Sequence, residues 1–129
     1  MDKLFKAAKR HFTESTGIST KDIQFKLLND EDFENTVVAG ERVGDLNLQS
    51  FHVKGLIVMR LQPAIKPLYA SIFLDMLHEL GHIKYQDHSE VFYNLLRQCG
   101  VVIGNRADAR GYKREIVSKA LAKIIGRLR

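Results

Sequence analysis

Apolar and polar positions alternate along this chain in two rhythms, one near 3.6 residues and one near 2. Leu4, Phe5, Ala8 and Phe12 fall at helical spacing among Lys3, Lys6, Lys9 and Arg10, so residues 2–15 are expected to form an amphipathic surface helix ended by Gly17. Residues 23–28 (IQFKLL) have the length and apolar content of a strand, and the polar run 29–35 reads as a loop. Gly40 and Gly44 suit turns or bulges between short strands in 36–50. Residues 53–62, rich in apolar and β-branched side chains and closed by Pro63, make the best strand of the chain. Pro67 suits the first turn of a helix over 68–84, whose Ile72, Phe73, Leu74, Met76, Leu77, Leu80 and Ile83 surround most of the cylinder. Such a helix is expected to be central and buried. Asp87 and Glu90 resemble a capping box opening a helix over 89–98, with Val91, Phe92, Leu95 and Leu96 inward and Gly100 just past its end. Residues 101–111 read as a linker into a last helix over 112–128, striped by Ile116, Val117, Ala120, Leu121, Ile124, Ile125 and Leu128.

Polar groups within an apolar helix are costly unless paired, hydrogen-bonded or bound to metal, which singles out Asp75, His78, Glu79 and His82. His78 and His82, four residues apart, lie on one helical face, near enough for both imidazoles to ligate one ion. Glu79 stands about 100° further round, outside the ligand set yet within reach of a water there. A catalytic zinc takes three protein ligands and keeps one position open. His88, six residues past His82, returns to the ion if Lys84, Tyr85, Gln86 and Asp87 turn the chain. If His88 does not serve, Glu90, Asp108 and Glu115 are next in line. The alternative, three histidines merely hydrogen-bonded in the core, needs three separate partners in an apolar setting. Zinc so bound lowers the pKa of its water from about 15.7 toward 7, and Glu79 would carry the proton to a leaving amine. That is the logic of a metallopeptidase. Asp75, one turn before His78, is a candidate acceptor for a ligand imidazole, and Tyr112 a candidate hydrogen-bond donor to a developing oxyanion.

HELGHIKYQDHSEVFYNLL, with its HExxH, His88 followed by Ser89, and Phe92, resembles the YgjP-like metallopeptidase domain and its WLM and SprT-like zincin relatives. Upstream, KGLIVMRLQPAIKPLYASIFLDML is similar to the strand, proline-containing loop and helix that precede the motif there. The likeness spans residues 53–96, about a third of the chain. It implies a small α+β zincin, a single domain over 1–129 with a short mixed or antiparallel sheet packed on the central HExxH helix and flanking helices. It also implies that His78, His82 and His88 bind Zn2+, that Glu79 is the base, and that the strand at 53–62 borders the cleft, where a substrate peptide would add as a further strand. The motif is similar as well to HGxxHxxGYDH of the YbeY endoribonucleases. That group has glycine where this chain has Glu79, and the glutamate favours peptide hydrolysis.

Charge adds one element to the picture. The net charge is +5, and residues 97–129 carry nine Lys and Arg against Asp108 and Glu115, while 1–96 carry eleven against thirteen acids. The basic C-terminal third is thus a candidate surface for DNA, the alternative being a solvated polar face or, without catalysis, a zinc-stabilised binding module. A single cysteine, Cys99, excludes an intrachain disulfide and a zinc ribbon, and reads as a small hydrophobe. With no apolar leader and no run of the roughly 20 apolar residues that a membrane span needs, the expectation is an intracellular, cytoplasmic protein acting on a protein or peptide substrate.

Overall fold

The computed structural model describes residues 2–38, 40–46, 50–53, 55–61 and 69–128. The class is α+β, with short mixed and antiparallel sheets among the helices. The chain groups into two compact units, Lys21–Leu68 in one and Met1–Thr20 with Tyr69–Arg129 in the other. Among the described residues no helix is long and apolar enough to cross a membrane.

In the unit Lys21–Leu68, β1 (Gln24–Asn29) forms where residues 23–28 suggested a strand. The run 29–35, expected as a loop, instead opens a helix, α2 (Asp30–Asn35). Asn29 caps it, its side chain accepting from Asp32 N at 2.8 Å, and Asp30, Glu31 and Asp32 sit at the positive end of the helix dipole. Only one apolar residue, Phe33, marks that helix in the sequence. It is fully buried with Val43 and Val58, Phe51 packing against it at 5.6 Å between rings. The minimal pair β2 (Val37–Val38) and β3 (Glu41–Arg42) turns at Gly40, whose φ of 83° favours glycine. A 3-10 turn over Val43–Leu46 follows.

The strand expected over 53–62 is β5 (Leu56–Leu61), and a separate strand, β4 (Ser50–Val53), precedes it. β5 lies in the middle, parallel to β1 and antiparallel to β4. Both its edges are occupied, so the added substrate strand implied for 53–62 cannot pair with β5. Gln62, Pro63 and Pro67 lie outside the described residues.

The other unit is built round α3 (Tyr69–Lys84), which packs on helix α1 (Asp2–Thr16), on helices α4 (Glu90–Gln98) and α5 (Lys119–Gly126), and on strand β7 (Lys113–Val117). Ile72, Phe73, Met76, Leu77 and Leu80 are buried. Full burial of each such side chain contributes about 1.5–3 kcal/mol. The helix is not enclosed all round, however. Ser71 and Asp75 are exposed, and His78, Glu79 and His82 are half-buried, forming one polar stripe. α1 stops at Gly17 as expected, with Gly17 N donating to Thr13 O at 2.8 Å. The cap of α4 is Ser89 rather than Asp87, since Ser89 Oγ accepts from Phe92 N at 3.4 Å.

The C-terminal third departs most from the pattern. Residues 101–111, expected as a linker, hold strand β6 (Val101–Ala107), and the helix expected over 112–128 begins only at Lys119. β7 precedes it and pairs antiparallel with β6, the register shifting between Ile103 and Ala107. The reason is visible in 113–117, where half-buried Lys113, Glu115 and Val117 alternate with exposed Arg114 and Ile116. That period of two coexists with a helical stripe through Ile116, Val117 and Leu121. Ser118 divides the two, its side chain accepting from Leu121 N at 3.2 Å as the cap of α5.

Candidate metal centre

The i, i+4 spacing on α3 stacks His78 over His82, their ring centroids 4.7 Å apart. The turn after Lys84 then brings His88 back, as its place six residues beyond His82 suggested. His78 Nε2 lies 3.0 Å from His88 Nε2 and 3.1 Å from His82 Nε2, and the last two are 3.1 Å apart. Three nitrogens on a triangle of this edge suit one ion with bonds of about 2.0–2.1 Å. The three histidines lie close enough to bind a metal ion, whose identity the geometry leaves open.

The outer nitrogens decide the protonation. His82 Nδ1 lies 3.0 Å from Tyr85 O, and a carbonyl only accepts, so Nδ1 carries the proton and Nε2 of the neutral ring keeps its lone pair. His78 Nδ1 donates likewise to Glu115 Oε2 at 2.7 Å, a pair with both side chains mostly buried. Lone pairs facing each other at 3.1 Å repel unless positive charge enters between them. A proton bridges two of the nitrogens at a time. A metal ion satisfies all three.

Ionisation follows the same competition. Burial holds the His78 imidazolium down, but the hydrogen bond and charge of Glu115, with Glu79 and Asp75 behind them, outweigh it and raise its pKa above the usual value. His88 is lowered to about 4 by desolvation and by the neighbouring His78 and His82. Asp75 is pushed up to about 6, chiefly by desolvation and then by Glu115, with His78 opposing. It still keeps an exposed surface, which tempers that push.

Phe92 holds the imidazoles together. Its ring stacks on His82 at 4.5 Å and 16° and meets His78 edge-on at 4.9 Å. Gly81 makes room for it, since a Cβ there would stand 2.8 Å from Phe92 Cε2. The glycine of HELGH therefore has a packing reason.

No family model, curated protein or solved structure matches this chain. Glu79 follows His78 on α3, half-buried, and its negative charge acts on both His78 and Asp75. Tyr112, 41 % exposed, places its ring 4.3 Å from that of His88. Asp75 lies in the electrostatic field of His78, but the hydrogen bond that orients His78 goes to Glu115. Sequence spacing offered Glu115 only as a substitute ligand. Its signal was weak: one of two acids in a basic third, on the inward phase of an unrecognised strand. Glu90 and Asp108, the other substitutes, are engaged elsewhere, Glu90 with Arg97 and Lys113 and Asp108 with Arg110. Cys99 is buried, its thiol pushed up to about 12 by desolvation, so it offers no nucleophile.

Proposed function

We propose that this chain is a zinc-dependent metallopeptidase, a zincin of the YgjP, WLM or SprT-like kind, hydrolysing a peptide bond of an intracellular protein. The observation that carries the reading is the convergence of three Nε2 atoms at 3.0–3.1 Å, two of them fixed as acceptors by Tyr85 O and Glu115. Imidazole donors in this number suit zinc. Zinc in such a site supplies Lewis acidity toward a carbonyl and acidifies water toward a pKa of about 7. The chain supplies the rest. Glu79 accepts the proton of the attacking water and hands it to the leaving amine. Glu115 holds the His78 ring in the tautomer that offers Nε2 inward. Tyr112, beside His88, offers its hydroxyl as a donor to the oxygen of the attacked carbonyl.

The reading is tested by purifying the chain, measuring its zinc, and incubating it with a disordered protein and with ribosomal RNA, each with and without a chelator. Expected are about one zinc per chain and chelator-sensitive cleavage of the protein. Glu79→Gln should keep the zinc and lose hydrolysis. Cleavage of RNA alone would instead favour the YbeY-type reaction, and zinc without either cleavage a binding module.

A further inference from the structure

An open pocket of about 500 Å3 reaches His78, its wall formed by the β6–β7 hairpin and its lining including Glu115 and Tyr112. Four cations line it, Arg106, Arg110, Lys113 and Arg114, against the acids Asp108 and Glu115. Two of the four are already neutralised. Arg110 is bound to Asp108 at 3.0 Å, and Lys113 to Glu90 at 3.0 Å. Among the described residues Arg106 and Arg114 have no ion-pair partner, and both are exposed. Two arginines without an ion-pair partner thus line a pocket that also reaches His78.

We infer that this pocket is a subsite for an acidic side chain of the substrate polypeptide, gripped by Arg106 and Arg114 while the neighbouring peptide bond lies at the histidines. The inference rests on the peptidase reading and names its specificity. A guanidinium fork matches a carboxylate in shape and charge. The capacity of the pocket also favours a peptide over a nucleic acid. It holds one or two side chains, and two unpaired cations balance one or two carboxylates, whereas a nucleic-acid strand needs a longer run of phosphate contacts. Base stacking finds no open platform there. Tyr112 carries the Arg110 guanidinium 4.9 Å above its ring and has His88 beside it.

The test separates binding from chemistry. Fluorescent peptides of one sequence with Glu or with Gln at scanned positions are titrated into zinc-loaded Glu79→Gln protein, followed by anisotropy, and into the same protein carrying Arg106→Gln and Arg114→Gln. Expected is about five- to tenfold tighter binding of the Glu peptides at one position, the gain expected of a solvent-screened charged hydrogen bond. That preference should vanish in the arginine variant, with zinc content and melting temperature unchanged. Equal binding of Glu and Gln peptides, or a preference that survives the arginine variant, overturns the subsite. So does tighter binding of single-stranded RNA with a steep salt dependence. Cleavage of the same peptides by the parent chain is scored separately. An acidic preference without cleavage overturns the peptidase reading and keeps the anionic subsite, and cleavage without the preference does the reverse.

Discussion

Replacing Glu115 by Gln leaves His78 Nδ1 an acceptor of the same shape but without charge. The imidazole keeps its place and loses basicity, so metal affinity should fall by about 10- to 100-fold, measured by competition with a chromogenic chelator. Gly81→Ala tests the packing behind the ligands. Alanine improves helix propensity by about 1 kcal/mol, yet its Cβ meets the Phe92 ring at 2.8 Å, and that ring lies against all three histidines. The expected outcome is weaker metal binding despite the better helix former, read in the same assay. His88 carries a pH signature. Its folded pKa of about 4 lies below the unfolded imidazole value of 6.5, so its contribution to stability is present above pH 6.5 and is lost as pH falls toward 4. His78 has the opposite sign. Its raised pKa contributes below 6.5 and the contribution is lost as pH rises through the folded value. In urea melts of the metal-free chain, His88→Ala should flatten the loss of stability between pH 6.5 and 4 and leave the His78 contribution in place.

At the scale of elements, α3 and the turn behind it place all three histidines, and the β6–β7 hairpin places the group that orients one of them. α5 stands apart from this work. Ser118→Ala removes its cap and should cost about 1 kcal/mol of stability, seen as a lower denaturation midpoint, while zinc stoichiometry stays unchanged. The difference between the expected C-terminal helix and the observed strand belongs at this scale too. Residues 113–117 satisfy a period of two and join a helical stripe, and such a segment is decided by its neighbour. Val101, Val102 and Ile103 pair with Val117, Ile116 and Glu115 and so stabilise the strand. Tyr93 reinforces it from α4, its hydroxyl accepting from Lys113 N at 2.9 Å. α2 is the converse case, a helix with one apolar residue, held by its cap and by the burial of Phe33.

For the whole molecule, a metal ion held at the three histidines would compete with protons for the same nitrogens. Zinc affinity should therefore fall as pH drops, beginning above the ordinary imidazole value as His78 takes its proton and ending near the His88 value of about 4. Zinc should also raise the melting temperature, since saturation at 100 times the dissociation constant contributes about 2.7 kcal/mol. The gain is smaller if the unfolded chain binds zinc as well, and the closeness of the ligands in sequence favours such binding.

That closeness also explains how much the sequence determined by itself. His78, His82 and His88 span eleven residues, so helix geometry and one turn bring them together without help from distant parts of the chain. Their convergence was legible in HELGHIKYQDH, as were α1, β1 and the limits of α3 and α4. Contacts across long separations were not. Glu115 reaches His78 from 37 residues away, on a strand whose partner was read as a linker. β5 has the composition of a good strand wherever it lies in a sheet, and only its pairing with both β1 and β4 makes it the middle one. Spacing along one element is set by backbone geometry. The facing of one element against another is set by packing, and here only the tertiary structure decided it.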